Sequence, residues 1–191
     1  MAIRQTPFVP NEWYHCYTRG VDKRTTFQEP RDYERFMQAL YLCNDTNAVH
    51  RDNLRNKSKE YIFQIPHEAP LVAVGAYCLI PNHFHLLLKE IRENGITSFM
   101  QQIGTAYTMY FNIKHERIGS LFVKPFRSKH INKDNYFKQV GQYIHLNSVE
   151  LFEPGWKYGK VRHFKQLEKK LISYPYSSCG DYYGADRLES A

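Results

Sequence analysis

Two histidines and, well downstream, a tyrosine and an asparagine carry the chemistry that this chain can be read for. The first pair lies in Tyr77-Cys78-Leu79-Ile80-Pro81-Asn82-His83-Phe84-His85-Leu86-Leu87-Leu88-Lys89-Glu90. If a strand follows the Pro81-Asn82 turn, His83 and His85 share one face and Phe84 takes the other. Two imidazoles about 7 Å apart along one strand face can converge on a single ion. A plain hydrogen-bonded histidine pair at a strand start is the alternative, and a His-x-His pattern alone does not choose between them. The second pair lies in Tyr143-Ile144-His145-Leu146-Asn147. On a helix, Tyr143 and Asn147 look the same way, while His145 lies roughly 200° round from Tyr143. If that face packs over the histidine side of a sheet, two imidazoles and one amide oxygen surround an ion, with a phenol one turn away. Imidazole and carbonyl ligands with open positions suit Mg²⁺ or Mn²⁺ bound to a phosphate. The ion would withdraw charge from phosphorus while the phenol attacks, leaving a phosphotyrosine. A free phenol has a pKa of about 10, so the ion or a basic neighbour must help it lose its proton.

The elements that must position these groups can be read in order. Trp13-Tyr14-His15-Cys16-Tyr17-Thr18 has strand composition and stops at Arg19-Gly20. Pro30 to Leu42 repeats Tyr33, Phe36, Met37, Leu40 and Tyr41 at helical spacing, with Pro30 suited to the first turn. Leu71 to Ile80 and the run after Asn82 read as a buried hairpin split by the Pro-Asn turn. Gly95 leads into Ile96 to Lys114, whose stripe of Phe99, Ile103, Ala106, Tyr107, Tyr110 and Phe111 predicts a core-facing helix. Pro125 to Ile131 alternates like a strand. Asn132 to Glu150 reads as a helix with Asn132 as N-cap. The order β-α-β-β-α-β followed by a further helix fits a ferredoxin-like α+β sandwich.

The remaining stretches are less regular. Residues 1–12 read as a lead-in arm, 13–153 as the catalytic domain and 154–191 as a basic tail. Residues 44–70 look like an insertion, with the charged run Arg51 to Glu60 expected as a solvated loop and Tyr61 to Ile65 as a short strand. Tyr174-Pro175-Tyr176-Ser177-Ser178 closes the ordered part, and residues 185–191 are expected to fray.

Composition narrows the class. Of 191 residues, 42% are hydrophobic and 24% charged, which are globular values. A net charge of +7 with 15% aromatics points weakly to nucleic acid. Between Lys114 and Lys138, Lys114, Arg117, Lys124, Arg127, Lys129, Lys133 and Lys138 face only Glu116 and Asp134. Such a cluster can neutralise phosphates. Tyr14, Tyr17 and Phe126 are candidates for stacking on bases. The four cysteines show no Cys-x-x-Cys spacing, which disfavours a zinc ribbon. No secretory signal or membrane-length apolar run is present, so a cytoplasmic protein with free thiols and no membrane partner is expected.

The segments Pro81 to Leu87 and Tyr143 to Asn147 resemble the HUH single-tyrosine transposases, marked by a His-hydrophobic-His signature and a tyrosine on a later helix. The likeness is closer still to the REP-associated tyrosine transposase branch. It continues in Gly119-Ser120-Leu121-Phe122, Phe126-Arg127-Ser128 and Tyr174 to Ser178, and spans roughly Trp13 to Tyr183. The resemblance implies that His83, His85 and Asn147 bind a divalent metal and that Tyr143 is the nucleophile. It also implies a substrate of single-stranded or hairpin DNA, including repeated palindromic elements, and a monomer or homodimer. The chain departs from the branch at Ser148, where Pro is usual, and in the length of residues 44–70. Tyr136 is a rival nucleophile on nearly the same helical face, but only Tyr143 has an amide one turn ahead. A hairpin-binding protein that does not cut, in the manner of RNA-recognition folds, is the alternative from another class. A zinc hydrolase is disfavoured, since no Glu adjoins the histidine pair.

Overall fold

Four stretches of strand composition pair into one antiparallel sheet: β1 (Trp13–Arg19), β2 (Val72–Ile80), β3 (His83–Glu90) and β4 (Arg127–Ile131), in the order β2-β3-β1-β4. The computed structural model describes residues 7–47, 51–54, 56–159, 161–184 and 187–188. α1 (Pro30–Leu42) and the short α2 (Lys59–Phe63) lie between β1 and β2, and α3 (Gly95–Lys114) links β3 to β4. α4 (Asp134–Leu146) follows the last strand. This is the ferredoxin-like α+β sandwich that the element order predicts, with β1 and β3 as its central pair.

Strand alternation divides the sheet into two unlike faces. Tyr14, Cys16, Leu79, Phe84, Leu86 and Leu88 meet Phe36, Met37 and Leu40 of α1 and Phe99, Ile103 and Tyr107 of α3 in the main core. Ala76, Cys78, Ile80, Leu87 and Ile131 face the other way and are covered by Val140 and Ile144 of α4. Burying a side chain such as Ile144 contributes on the order of 1.5–3 kcal/mol, which is what holds α4 to this face. α4 therefore lies over the same sheet face toward which His83 and His85 point.

Two buried carboxylates set helix starts. Glu90 accepts the Gly95 and Ile96 N–H groups at 3.1 and 2.7 Å, meeting the positive end of α3. Asp32 accepts the Gln28 and Glu29 N–H groups at 2.8 and 3.3 Å at the start of α1, where Pro30 needs no donor partner.

Several expectations need correction. The N-cap of the last long helix is Lys133, not Asn132, and the helix ends at Leu146; Val149–Phe152 is a separate short helix, α5. The break falls where the Ser148 hydroxyl bonds the His145 carbonyl at 2.9 Å. The 61–65 stretch is not a strand: Tyr61 to Phe63 complete α2, which Ser58 caps by accepting the Tyr61 N–H, and the chain turns at Gln64. Within the insertion, Leu54 and Ile62 bury against Leu42 and seat it on α1, while Asn53, Asn56, Lys57, Ser58 and Glu60 are exposed, as expected of the charged run; residues 48–50 and 55 lie outside the described residues.

Beyond α5, α6 (Phe164–Ile172) precedes a tail that continues past Ser178. Leu79 N–H donates to Tyr176 O at 2.8 Å and Ser178 N–H to Tyr77 O at 3.0 Å, so the tail occupies the open edge of β2. Of residues 185–191, only 187 and 188 are described; Arg187 there bonds Asp181 and the Pro175 and Ser177 carbonyls, so this point is anchored. Residues 1–6 of the arm lie outside the described residues. All four cysteines are buried and free. Among the described residues, no helix is long and apolar enough to cross a membrane.

Candidate active site

The turn before the histidine pair is held from two sides. Gly20 N–H donates to Asn82 O at 2.8 Å, and Thr26 and Phe27 N–H both donate to Pro81 O. His83 and His85 then project from β3 with ring centroids 5.0 Å apart. Across the β1–β3 ladder, Arg19 lies opposite His83 and Tyr17 opposite His85, with the Tyr17 and His85 rings stacked at 5.4 Å. His15, on the same face of β1, brings its Nε2 to 2.8 Å from His85 Nδ1.

α4 sets Tyr143 over this group. Burial of Ile144 and Val140 fixes the rotation of the helix, and the Tyr143 ring stands edge-on to both His15 and His85, 5.8 Å from each. The tyrosine is half exposed, at 49%, and its hydroxyl makes no hydrogen bond among the described residues. A candidate nucleophile must be reachable by substrate, and at this exposure the Tyr143 ring is. Asn147, one turn on and buried, donates Nδ2 to the Tyr143 and Ile144 carbonyls at 2.8 and 3.3 Å, which leaves Oδ1 as its acceptor. His145 points elsewhere, as its helical angle predicts, and bonds Ser178 Oγ at 2.9 Å.

The donor atoms fit a divalent cation. His83 Nδ1 lies 2.6 Å from Asn82 Oδ1; that oxygen can only accept, so the ring proton sits on Nδ1 and Nε2 keeps its lone pair. His85 Nε2 is buried and has no partner among the described residues. Burial, aided by Lys157 and Arg19, lowers the His83 pKa to about 4. Burial and the neighbouring His15 and His83 lower that of His85 to about 2. Neutral imidazoles are the form that binds metal. Among the described residues there is no cluster of three or more His, Cys, Asp or Glu suited to a metal, so any third ligand must be of another type. Asn147 Oδ1 is a candidate of that type.

Six of the seven basic residues from Lys114 to Lys138, the ones read as nucleic-acid-binding, separate in the fold. Arg127 and Lys129 sit on β4 opposite Tyr17 and His15, and so share the histidine face of the sheet. Lys124 and Lys133 are exposed just before and after β4. Lys114 is bound at 2.6 Å to both Glu29 and Asp32 between α1 and α3, on the other side of the sheet. Arg117 donates to Asn112 and to Ser120 O, pinning the turn after α3. Tyr14 is a core residue, its hydroxyl accepting the Val9 N–H, so it is not available to stack on a base. Phe126 packs on Phe8. Tyr17 remains on the site face. Tyr136 packs beside Trp13 and under Lys129, an aromatic of the first helical turn.

Three residues of the site escaped the reading of the sequence. His15 and Arg19 come from β1 and Lys157 from beyond α5, and Lys157 helps lower the pKa of His83 and His85 while ion-paired to Glu150 at 2.7 Å. The alternation of Trp13, His15 and Tyr17 was the available signal for His15, but only the β1–β3 register shows which face it joins.

Residues 33–147 match the family model described as "Transposase IS200 like", and the match ends on Asn147. The chain belongs to that family, whose members are enzymes of the transposase and endonuclease kind. A solved structure of a REP-associated tyrosine transposase bound to a REP hairpin is similar, with a TM-score of 0.60 and 14% identity over 100% of this chain and 92% of that one. What the two share is the fold. No curated protein sequence matches the chain.

Proposed function

We propose that the protein cuts and rejoins single-stranded hairpin DNA through a 5′-phosphotyrosine on Tyr143, as a single-tyrosine HUH enzyme. The observation that carries this reading is the exposed Tyr143 ring seated against His85, whose buried Nε2 has no partner among the described residues. His83, His85 and Asn147 would hold Mg²⁺ or Mn²⁺ through the two Nε2 atoms and the amide oxygen. Bound there, the cation supplies Lewis acidity to the scissile phosphate.

The chain's own residues do the rest. Tyr143 Oη attacks phosphorus and its proton passes to water; the P–O3′ bond breaks, and the departing 3′ oxygen takes up a proton. The 5′ phosphate stays on the tyrosine, so attack by a 3′ hydroxyl reverses the step and joins strands. Arg127, Lys129, Lys124 and Lys133 line the approach along β4 and supply positive charge to the backbone of the strand. Tyr17 offers a ring for an unpaired base. The similar solved protein is bound to a REP hairpin, which supports a palindromic, hairpin-forming substrate here. Buried free thiols suit the cytoplasm as its setting.

The test is a covalent-adduct assay with single-stranded hairpin oligonucleotides, with and without Mn²⁺. A metal-dependent protein–DNA adduct lost in Tyr143→Phe is expected. An adduct that persists in Tyr143→Phe refutes the nucleophile, and hairpin binding without metal or cleavage on any hairpin tried favours a non-catalytic binder.

A further inference from the structure

His15 and His85 approach through one nitrogen each, Nε2 to Nδ1 at 2.8 Å, and a contact of that length between neutral rings holds one proton. Two assignments exist. If His15 Nε2–H donates, His85 carries its own proton on Nε2. That N–H is buried without an acceptor, at a cost of roughly 1–3 kcal/mol, and a protonated nitrogen offers no lone pair to a cation. If His85 Nδ1–H donates, His85 Nε2 is bare and the His15 proton sits on Nδ1, which is not among the buried atoms left without a partner.

We infer that His15 is a positioning residue: it accepts the His85 Nδ1 proton and thereby holds the His85 Nε2 lone pair toward the candidate metal site. The inference rests on the proposed function for its purpose, but its tautomer can be measured without metal or DNA. The neighbouring ring is set in the same way, since Asn82 Oδ1 holds the His83 proton on Nδ1. His15 is built for the role. It is 7% exposed, with the Tyr17 and His85 rings each 5.0 Å away and Tyr143 edge-on at 5.8 Å. Burial and the nearby Lys129 keep it uncharged, which an acceptor must be. Both rings of the pair thus receive their orientation from an outer partner, the arrangement that tunes imidazole ligands in metal sites.

Long-range ¹H–¹⁵N correlation on metal-free, histidine-labelled protein at neutral pH reads the tautomer directly. His85 is expected protonated at Nδ1 and bare at Nε2; protonation at Nε2 in the wild-type protein overturns the inference. His15→Gln, whose amide oxygen can accept the same proton, is expected to keep the His85 tautomer and to hold Mn²⁺ within a few-fold of wild type, read by the EPR signal of free Mn²⁺. His15→Phe is expected to release the tautomer and to weaken Mn²⁺ binding about 10–100-fold. A folded His15→Phe with unchanged tautomer and affinity also overturns it; if that variant does not fold, the wild-type tautomer and His15→Gln decide. Wild-type protein with the expected tautomer but no Mn²⁺ uptake would sink the metal-dependent reaction and leave the assignment of His15 standing.

Discussion

His145 Nε2 and Ser178 Oγ lie 2.9 Å apart, and this contact ties the helix that carries Tyr143 to the tail that closes the sheet edge. The same hydroxyl accepts the Tyr77 N–H at 2.9 Å. Ser178→Ala leaves two buried groups without their partner and is expected to cost on the order of 1–3 kcal/mol, read as a lower urea midpoint at unchanged slope. Because α4 is what places Tyr143, adduct formation is expected to slow in the same variant. A stability equal to wild type would mean that the tail does not restrain the helix.

Tyr143→Phe should behave in the opposite manner. The hydroxyl is free of protein partners among the described residues and the ring is half exposed, so removing one oxygen is expected to change stability by less than about 0.5 kcal/mol. Hairpin affinity should stay within a few-fold while adduct formation disappears. Tyr136→Phe, in a packed residue, is expected to retain the adduct.

How much of this was legible in the sequence follows from the range of each signal. His83, His85, Tyr143 and Asn147 can be singled out because period 2 on a strand, or period 3.6 along a helix and its C-cap, says which side chains share a face. His15 and Lys157 were missed because their membership depends on cross-strand register and on where a later loop lands, which no local period encodes. The basic cluster was over-read for a related reason. Lys114 looked like a neighbour of Lys124 and Arg127 in the chain, but its charge is spent on Asp32, a contact across two helices. The insertion shows how little composition says about docking: the described residues of its run 51–60 are mostly exposed, yet Leu54 and Ile62 seat it on α1 and Phe63 joins the main core.

That distinction separates two kinds of lysine and arginine by experiment. Asp32 is fully buried; burial pushes its pKa up, but Lys114, the Gln28 N–H and the Tyr110 hydroxyl outweigh this and hold it below the usual carboxylate value. Lys114→Ala leaves that carboxylate unpaired and is expected to destabilise by about 3–5 kcal/mol, with the salt dependence of hairpin binding unchanged. Arg127→Ala is expected to leave stability nearly untouched and to reduce the slope of log affinity against log salt by about one unit. A flattened slope in folded Lys114→Ala would return that residue to the DNA surface.

Acid should loosen the protein before its carboxylates titrate. Burial is the main cause that lowers the pKa of His15, His83 and His145 to about 4 and of His85 to about 2, from 6.5 in an unfolded chain. Below pH 6.5 the unfolded chain therefore binds protons that the folded chain refuses until about pH 4, and stability falls as pH falls through that window. Each ring contributes at most about 1.4 kcal/mol per pH unit there. Urea midpoints measured between pH 7.5 and 4.5 are expected to be level above about 7 and to drop steadily below about 6. Replacing His145 with Gln, which can still bond Ser178, removes one of the four titrations and should make the decline shallower. A midpoint that stays flat down to pH 5 would show that these imidazoles reach solvent in the folded state, and with it that the face beneath Tyr143 is wetter than its packing requires.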